Sequence, residues 1–409
     1  MGGEQVVVGL DVGTTKVSAL IGEVKGPHLV QVVGVGISPS RGLKKGLVVD
    51  MEEVAATIAT ALRKAEAFSG YKIIGAHVSI SGGHLASEAA RGSISLPGDR
   101  PVSQQELSEV LSAARLEEVP DGRDVLHVLP RGYVVDGEDG IRNPVGMLAS
   151  RLEVEGLVVS SSSAPLHNLA RCVERAGIQI DGFVAGGLAS AQGVLSDPER
   201  ELGVLLIDLG GGTTDMAWYR DGEVRYVGAL PVGGNHLTND LSVGLGVPFS
   251  AAEEIKVRFA SAVPSSMSEE DTIDAGSFSD GEVRKVSKRF MVEIVEARLS
   301  EIFGLVTDEL EQQAFHGVLP AGVVLTGGTA QLRGIRELAQ QAFNAPVRIG
   351  PPEGLSGSID SIRTSAYATG AGLLKWALAQ AEELPSVRSM RRRVGWGSRI
   401  KGLAKVFLP

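Results

Sequence analysis

Two segments of this chain, about 200 positions apart, carry the same pattern. Leu10-Asp11-Val12-Gly13-Thr14-Thr15-Lys16 and Ile207-Asp208-Leu209-Gly210-Gly211-Gly212-Thr213-Thr214-Asp215 both read apolar–Asp–apolar–Gly–Thr–Thr. Each closes an apolar run of strand character. A repeat at this separation implies two lobes of related design rather than one core, and 409 residues are more than one core usually holds.

The residue types in the echo suit a phosphate. Glycines at Gly13, Gly210, Gly211 and Gly212 let backbone N–H groups approach anionic oxygens. Thr14, Thr15, Thr213 and Thr214 add hydroxyl donors, and Lys16 can neutralise a β- or γ-phosphate. Asp11 and Asp208 would face each other across a cleft and hold Mg2+, largely through its retained waters. Either turn alone would read equally as a β-hairpin. Asp215 is a metal-site partner or a strand-start residue. A third turn, Val324-Leu325-Thr326-Gly327-Gly328-Thr329-Ala330, reads as a strand-to-helix phosphate or adenosine loop. Glu253 and Lys256 lie one helical turn apart and can reach a ribose or base from one face, or pair with each other. Together these features predict ATP with Mg2+. Walker A is absent, and Gly34-x-Gly36 lacks the third glycine of a dinucleotide fingerprint.

Strand and helix patterns alternate. Val6–Val12, Lys16–Val24, Leu29–Ile37 and Ile73–Ile80 read as strands. Asp50–Gly70 reads as a helix capped by Asp50 and stopped by Gly70. The alternation predicts a largely parallel, covered sheet. Residues 84–162 break the rhythm with frequent Pro and Gly, one helix (Ser103–Glu117) and one strand (Arg151–Val159), as an inserted subdomain would. Leu166–Gly177 reads as a helix, and Val204–Asp208 starts a second α/β unit. Ser265–Gly281 reads as an acidic surface loop, and Lys285–Phe315 as one long helix. Two small-residue helices, Gly186–Ala191 and Ser365–Gly372, suit a close crossing between lobes or tight helix–sheet packing.

Charge is uneven. The net charge is −10, yet residues 386–409 hold seven cations and no acid. The acidic body disfavours nucleic acid as a partner. Trp396, Ile400, Leu403 and Phe407 share one face of a helix, with Arg399, Lys401 and Lys405 mainly elsewhere and Arg391-Arg392-Arg393 before them. That is the profile of an interfacial helix on anionic membrane lipids. The alternatives are a helix docked on the protein's own body or a basic nucleic-acid tail. One cysteine, Cys172, fits a reducing compartment, no signal peptide is read at Met1, and Val6 stands where a myristoylation motif wants Ser or Thr.

In order, these segments resemble the five signatures of the actin-like ATPase superfamily: phosphate loop, connecting helix, second phosphate loop, adenosine loop, connecting helix. Within it the chain is similar to the FtsA family of bacterial cell-division proteins. Beyond the first loop the resemblance rests on Leu126–Pro130, Ile141–Met147, Arg151–Val154, Gly233–Leu241 and Ala252–Arg258. It implies an α/β actin-like fold of two lobes around a nucleotide cleft. It places subdomain 1A at 1–83 with 163–187 and 366–379, an inserted subdomain 1C at 84–162, 2A at 188–230 with 303–365, and 2B at 231–302. A linker at 380–394 and a C-terminal amphipathic helix at 395–409 complete it. Gly233, Gly234 and Asn235 join the cofactor-binding set by the same resemblance.

The resemblance also implies function: an ATP-binding protein that forms actin-like filaments on the cytoplasmic face of the inner membrane and tethers FtsZ there. Subdomain 1C would engage other division proteins. Arg298 matches a position the family uses to hold the FtsZ C-terminal peptide, though a surface salt bridge would also suit it. Chaperone-type relatives have a catalytic acid where Gly186 or Gly187 falls here, which predicts slow or negligible hydrolysis and no assignable catalytic residue. Two other readings compete. One is a PilM-type scaffold of pilus assembly, which lacks the basic amphipathic foot. The other is a sugar kinase or chaperone ATPase, whose sugar-site Asp or large substrate domain is not visible.

Overall fold

Residues 5–26, 29–98, 100–116, 120–263, 271–278, 281, 283–313, 315, 318–357 and 360–383 are described by a computed structural model. The first echo is a hairpin. Strand β1 (Val6–Val12) pairs antiparallel with β2 (Lys16–Gly26), and β2 with β3 (Leu29–Pro39). A two-residue hairpin, β4 (Leu43–Lys44) and β5 (Leu47–Val48), leads to helix α1 (Met51–Ser69). The Asp50 carboxylate accepts from the N–H groups of Glu52 and Glu53 at 2.9 and 3.0 Å, and Gly70 ends the helix at φ +73°, as the sequence predicts. The buried face of α1, with Val54, Ile58, Ala61, Leu62 and Ala65, lies over β3. Gly36 serves that contact: a Cβ there would stand 2.0 Å from the Ala61 carbonyl oxygen. Strand β6 (Gly75–Ile80) then runs parallel beside β1.

The insertion is a small layered unit. Strands β7 (Leu85–Ser95), β8 (Arg123–Val135), β9 (Glu138–Ile141) and β10 (Arg151–Ser162) form an antiparallel sheet in the order β7-β10-β8-β9. Helix α2 (Gln104–Leu116) packs on it over Ala90, Leu152, Val154 and Val158. The expected single strand is therefore one of four. Ala, Ser and Gly dilute the strand signal of β7, and Pro130 interrupts β8. Pro130 is accommodated where the register slips between Glu155 and Gly156, so Arg131 is the extra, bulged residue.

Helix α3 (Ser163–Arg175) returns the chain to the first lobe, where β11 (Gln179–Ala185) pairs parallel with β6. Helix α4 (Gly186–Val194) and short helix α5 (Asp197–Leu202) lead to the second lobe. There β12 (Val204–Leu209), β13 (Thr214–Arg220) and β14 (Glu223–Leu230) form an antiparallel meander. Helices α6 (Gly234–Leu245) and α7 (Phe249–Phe259) follow, then β15 (Thr272–Asp274), β16 (Lys285–Ser287) and α8 (Lys288–Gln312). Strand β17 (Val323–Thr326), helix α9 (Ile335–Phe343) and β18 (Val347–Ile349) complete the lobe. Strand β19 (Leu355–Gly357) and helix α10 (Ala368–Glu383) go back to the first.

Both main sheets are mixed rather than largely parallel. Their orders are β11-β6-β1-β2-β3-β19 and β14-β13-β12-β17-β18. In each, a three-stranded meander carries the glycine turn, and parallel strands extend it beyond the first strand. The alternation rule missed this because both meanders are joined by turns too short to look like crossovers. Two smaller expectations also change. Part of the acidic loop forms β15 and buries Ile273 and Ala275. The long helix begins at Lys288, because Lys285–Ser287 pairs with β15. Among the described residues no helix is long and apolar enough to cross a membrane. The basic tail, with Trp396, Arg399, Ile400, Lys401, Leu403, Lys405 and Phe407, lies outside the described residues.

Candidate functional site: a cleft between two matching hairpins

The echo is exact in register. Asp11 pairs with Ser18 across β1–β2, and Asp208 pairs with Asp215 across β12–β13. Each turn is closed by the same bond: Gly13 N–H donates to the Lys16 carbonyl at 3.1 Å, and Gly210 N–H to the Thr213 carbonyl at 2.9 Å. The two turns approach each other directly. A Cβ on Gly211 would stand 1.9 Å from Thr15 Oγ1, and one on Gly212 would stand 2.5 Å from Thr14 Oγ1. Only glycine permits that approach.

Between them lies a cavity of about 420 Å³, a size usual for small-molecule sites. Of the residues singled out in the sequence, it brings together Asp11, Gly13, Thr14, Thr15, Lys16, Asp208, Gly210, Gly211, Thr213, Gly234, Asn235, Glu253, Lys256, Gly327 and Gly328. Three others brace the wall instead of lining it. Gly212 packs on Thr14, Thr214 donates its hydroxyl to the Val232 carbonyl at 2.8 Å, and Gly233 begins α6. The first N–H groups of α6 are committed to the second turn: Gly234 donates to the Gly210 carbonyl at 2.9 Å and Asn235 to the Gly211 carbonyl at 2.7 Å.

Three carboxylates converge on the cavity, Asp208 and Asp215 buried and Asp11 half-buried. Asp11 accepts from Ser79 Oγ at 2.8 Å, and the same hydroxyl accepts from the Val12 N–H at 3.0 Å. Burial raises the Asp11 carboxyl above its ordinary range; Lys16 and Ser79 oppose this and Asp208 adds to it. Asp208 is also raised by burial, against hydrogen bonds from Ser190 and Thr369. Asp215 is raised well above the ordinary range, by burial first and then by Asp208. The Ser81 and Thr213 hydroxyls oppose the rise, and Asp215 Oδ2 accepts from Thr213 Oγ1 at 3.1 Å. Lys16 offsets only part of this crowding of acids, and a cation would relieve the rest. Among the described residues no group of three or more His, Cys, Asp or Glu is arranged to hold a metal. The donor set fits Mg2+, which needs one or two carboxylates beside waters and phosphate oxygens, and does not fit an all-protein cage.

Lys16 lines the cavity beside α10. Its Nζ donates to the Ala366 carbonyl at 2.5 Å and sits 4.5 Å over the Tyr367 ring, at the start of α10. Glu253 and Lys256 do pair, at 2.7 Å, and both still line the cavity. Lys256 Nζ also donates to Thr238 Oγ1 at 2.8 Å and the Gly234 carbonyl at 3.2 Å, which ties α7 to α6. Gly327 holds φ +89°, and a Cβ there would stand 2.4 Å from Asp208 Oδ1, so the third turn needs glycine. Thr329 of the third turn also lines the wall, whereas sequence reasoning missed Ser81, Gln331, Arg333 and Thr369 there. Single polar residues outside a glycine turn give no pattern to find them by.

Two small-residue helices cross beneath the cleft. Helices α4 and α10 contact so closely that a Cβ on Gly372 would stand 1.6 Å from the Ala189 carbonyl oxygen, and one on Gly193 2.4 Å from that of Ala368. The insertion touches both helices of this crossing. His127 Nε2 accepts from the Ala185 N–H at 3.2 Å, and its ring meets Trp376 of α10 at 5.0 Å. The bulged Arg131 donates to the Val224 carbonyl at 3.0 Å and to that of Arg225, and Ser87 Oγ accepts from the Val227 N–H at 3.1 Å. Away from the cleft, Arg298 of α8 pairs with Asp240 at 2.6 Å and with Glu301 at 2.6 Å.

Comparison with known proteins gives a consistent picture. Residues 205–372 match the family model for cell division protein FtsA, and residues 82–160 match that for the SHS2 domain inserted in FtsA. The chain is 40% identical to cell division protein FtsA of Pseudomonas aeruginosa, over 93% of this chain and 91% of that one. It is 36% identical to that of Neisseria meningitidis, over 97% and 96%, and 36% identical to that of Escherichia coli K12, over 91% and 90%. Among solved structures it resembles the PilM-PilN type IV pilus biogenesis complex, with a TM-score of 0.63, 16% identity and 91% of this chain and 98% of that chain covered. It also resembles MreB5 of Spiroplasma citri bound to AMPPNP, with a TM-score of 0.55, 16% identity and coverage of 93% and 98%. These two likenesses establish the actin-like fold.

Proposed function

The chain belongs to the FtsA family of cell-division proteins, and on that premise we propose that it is a nucleotide-dependent tether between FtsZ filaments and the inner membrane. The observation that carries the nucleotide half is the pair of glycine turns facing each other in matched register, with Lys16 and buried carboxylates between them. ATP binds there with Mg2+. Asp11 and Asp208 hold the cation, Lys16 leaves the Ala366 carbonyl for a phosphate oxygen, and the third turn with Glu253 and Lys256 receives the nucleoside. The PilM reading is not favoured, because that likeness is one of fold at 16% identity.

Copies of the chain polymerise head to tail on the cytoplasmic face of the membrane, held to anionic lipids by the basic amphipathic tail. One such foot binds reversibly, and a filament of them binds firmly through multivalency. The FtsZ C-terminal peptide docks beside Arg298. Its carboxylates exchange with Asp240 and Glu301, and exposed Val243 and Phe290 on α6 and α8 supply apolar contact. The inserted unit recruits other division proteins. Hydrolysis is slow, because Gly186 and Gly187 present no side chain to orient water. Calorimetric titration with an FtsZ C-terminal peptide tests the partner: Arg298→Glu should weaken binding at least tenfold and leave ATP affinity unchanged. Undiminished peptide binding, or a robust ATPase rate abolished by Asp208→Ala, contradicts this reading.

A further inference from the structure

Asp208 is held by both of the helices that cross beneath the cleft. Ser190 of α4 donates to Asp208 Oδ2, and Thr369 of α10 donates to the same oxygen at 2.9 Å. The two hydroxyls lie 3.0 Å apart. Each hydroxyl carries one proton, so with both given to the carboxylate neither is left for the other. The 3.0 Å separation is that of two donors converging on one acceptor. Ser190 is fully buried and Asp208 is buried.

The convergence has a direction. Oδ2 is fully engaged, whereas Oδ1 is turned toward Gly327, on the cavity wall. The hydroxyls themselves have little freedom to move. Helices α4 and α10 touch backbone to backbone at Ala189 and Gly372, one turn or less from Ser190 and Thr369. The two helices also have different attachments. Helix α10 packs on β1 and β2 of the first lobe, whereas Asp208 is the penultimate residue of β12 in the second. The Thr369 bond therefore joins the lobes at the carboxylate.

We infer that Ser190 and Thr369 are positioning residues for the divalent cation: their paired bonds to Asp208 Oδ2 fix the rotamer of that carboxylate and aim Oδ1 at the cation that accompanies the nucleotide. This rests on the reading of the cleft as a Mg–nucleotide site. Because Thr369 approaches from the opposite lobe, the cation site is complete only when the lobes are closed. Opening the cleft withdraws one of the two donors and frees the carboxylate to turn.

The test is a fluorescence titration of the full chain with a fluorescent ATP analogue, once in excess EDTA and once across a Mg2+ series. The variants are Ser190→Ala, the near-isosteric Thr369→Val, and Thr369→Ser, which keeps the hydroxyl. Loss of one hydrogen bond to a charged group should raise the Mg2+ concentration for half-maximal tightening about tenfold in the first two. The gain in affinity from EDTA to saturating Mg2+ should shrink correspondingly in these two, and Thr369→Ser should behave as the parent. Equal weakening with and without Mg2+ overturns the inference, since the hydroxyls would then only support the fold. So does an unchanged Mg2+ requirement. A parent that binds the analogue but ignores Mg2+ removes the cation role of Asp208 and this inference with it. A parent that does not bind the analogue at all removes the nucleotide reading itself.

Discussion

Replacing Gly372 by alanine should damage both stability and nucleotide binding, and the size of the effect can be worked from the helix crossing. The added Cβ would lie 1.6 Å from the Ala189 carbonyl oxygen and 2.5 Å from its carbon, whereas ordinary contact begins at 3.4 Å. Backbone cannot swing aside as a side chain can, so α4 and α10 must part by roughly 1.5–2 Å, and a close-packed interior resists that. Overpacking of this kind typically costs about 1–3 kcal/mol. The separation also pulls Ser190 and Thr369 apart, and their bonds to Asp208 cannot both survive a displacement of about 1 Å or more. Misplacement of a site on that scale can cost about a hundredfold in function, so ATP affinity should fall at least tenfold. Thermal unfolding with and without Mg-ATP, together with an ATP-analogue titration, measures both effects. Gly304→Ala is the control: that position is exposed on α8, with nothing within 4 Å of the added Cβ. It should gain up to about 1 kcal/mol from helix propensity. If Gly372→Ala is as stable as the parent and binds ATP as well, the helix crossing does not govern the cleft.

Two further predictions concern acid. Burial pushes His127 down to about 4, so its neutral form is favoured in the fold. Its contribution is full above the unfolded value near 6.5 and is lost as pH falls through 6.5 toward 4. About 2 kcal/mol should be gone by pH 5. His84, also near 4 through burial and Arg123, moves the same way. Denaturant melts at pH 7.5 and 5 should therefore differ less for His127→Gln than for the parent, and an equal difference rejects the assignment. Glu199 behaves differently. Burial raises its carboxyl, but Arg348 and Ser196 outweigh that and hold it at about 2. The contribution, about 3 kcal/mol, is present above pH 4.5 and lost as pH falls toward 2. Arg348→Met should be markedly less stable than the parent at pH 7, with the gap narrowing as pH falls below 4.5. A gap that is independent of pH would mean the pair contributes by packing alone.

The echo at Asp11 and Asp208 made two facing lobes legible because each glycine turn needs several unusual residues in one order. The Asp50 cap and the Gly70 stop were legible for the same local reason. The close helix crossing could be read in Gly186–Ala191 and Ser365–Gly372 because backbone contact leaves room only for small side chains. What escaped was decided at long range. Strand β7 has little strand propensity and owes its place to pairing along β10. Pro130 argued against β8, yet it sits at the bulge that turns Arg131 toward β14. Gly212, Thr214 and Gly233 look like the other loop residues but pack on Thr14, bond the Val232 carbonyl and cap α6 instead of lining the cavity, a matter of geometry that composition does not carry. Ser190 and Thr369 are single hydroxyls nearly 180 positions apart, and only folding brings them to one oxygen.

The most direct test of the tether is co-sedimentation with anionic liposomes, with and without Mg-ATP, for the full chain and for a form ending at Glu383. The account predicts that the full chain pellets with the vesicles and does so more completely with Mg-ATP, while the shortened form stays in the supernatant under both conditions. Lipid binding that survives loss of residues 384–409, or that takes no notice of nucleotide, would contradict a polymerising membrane tether.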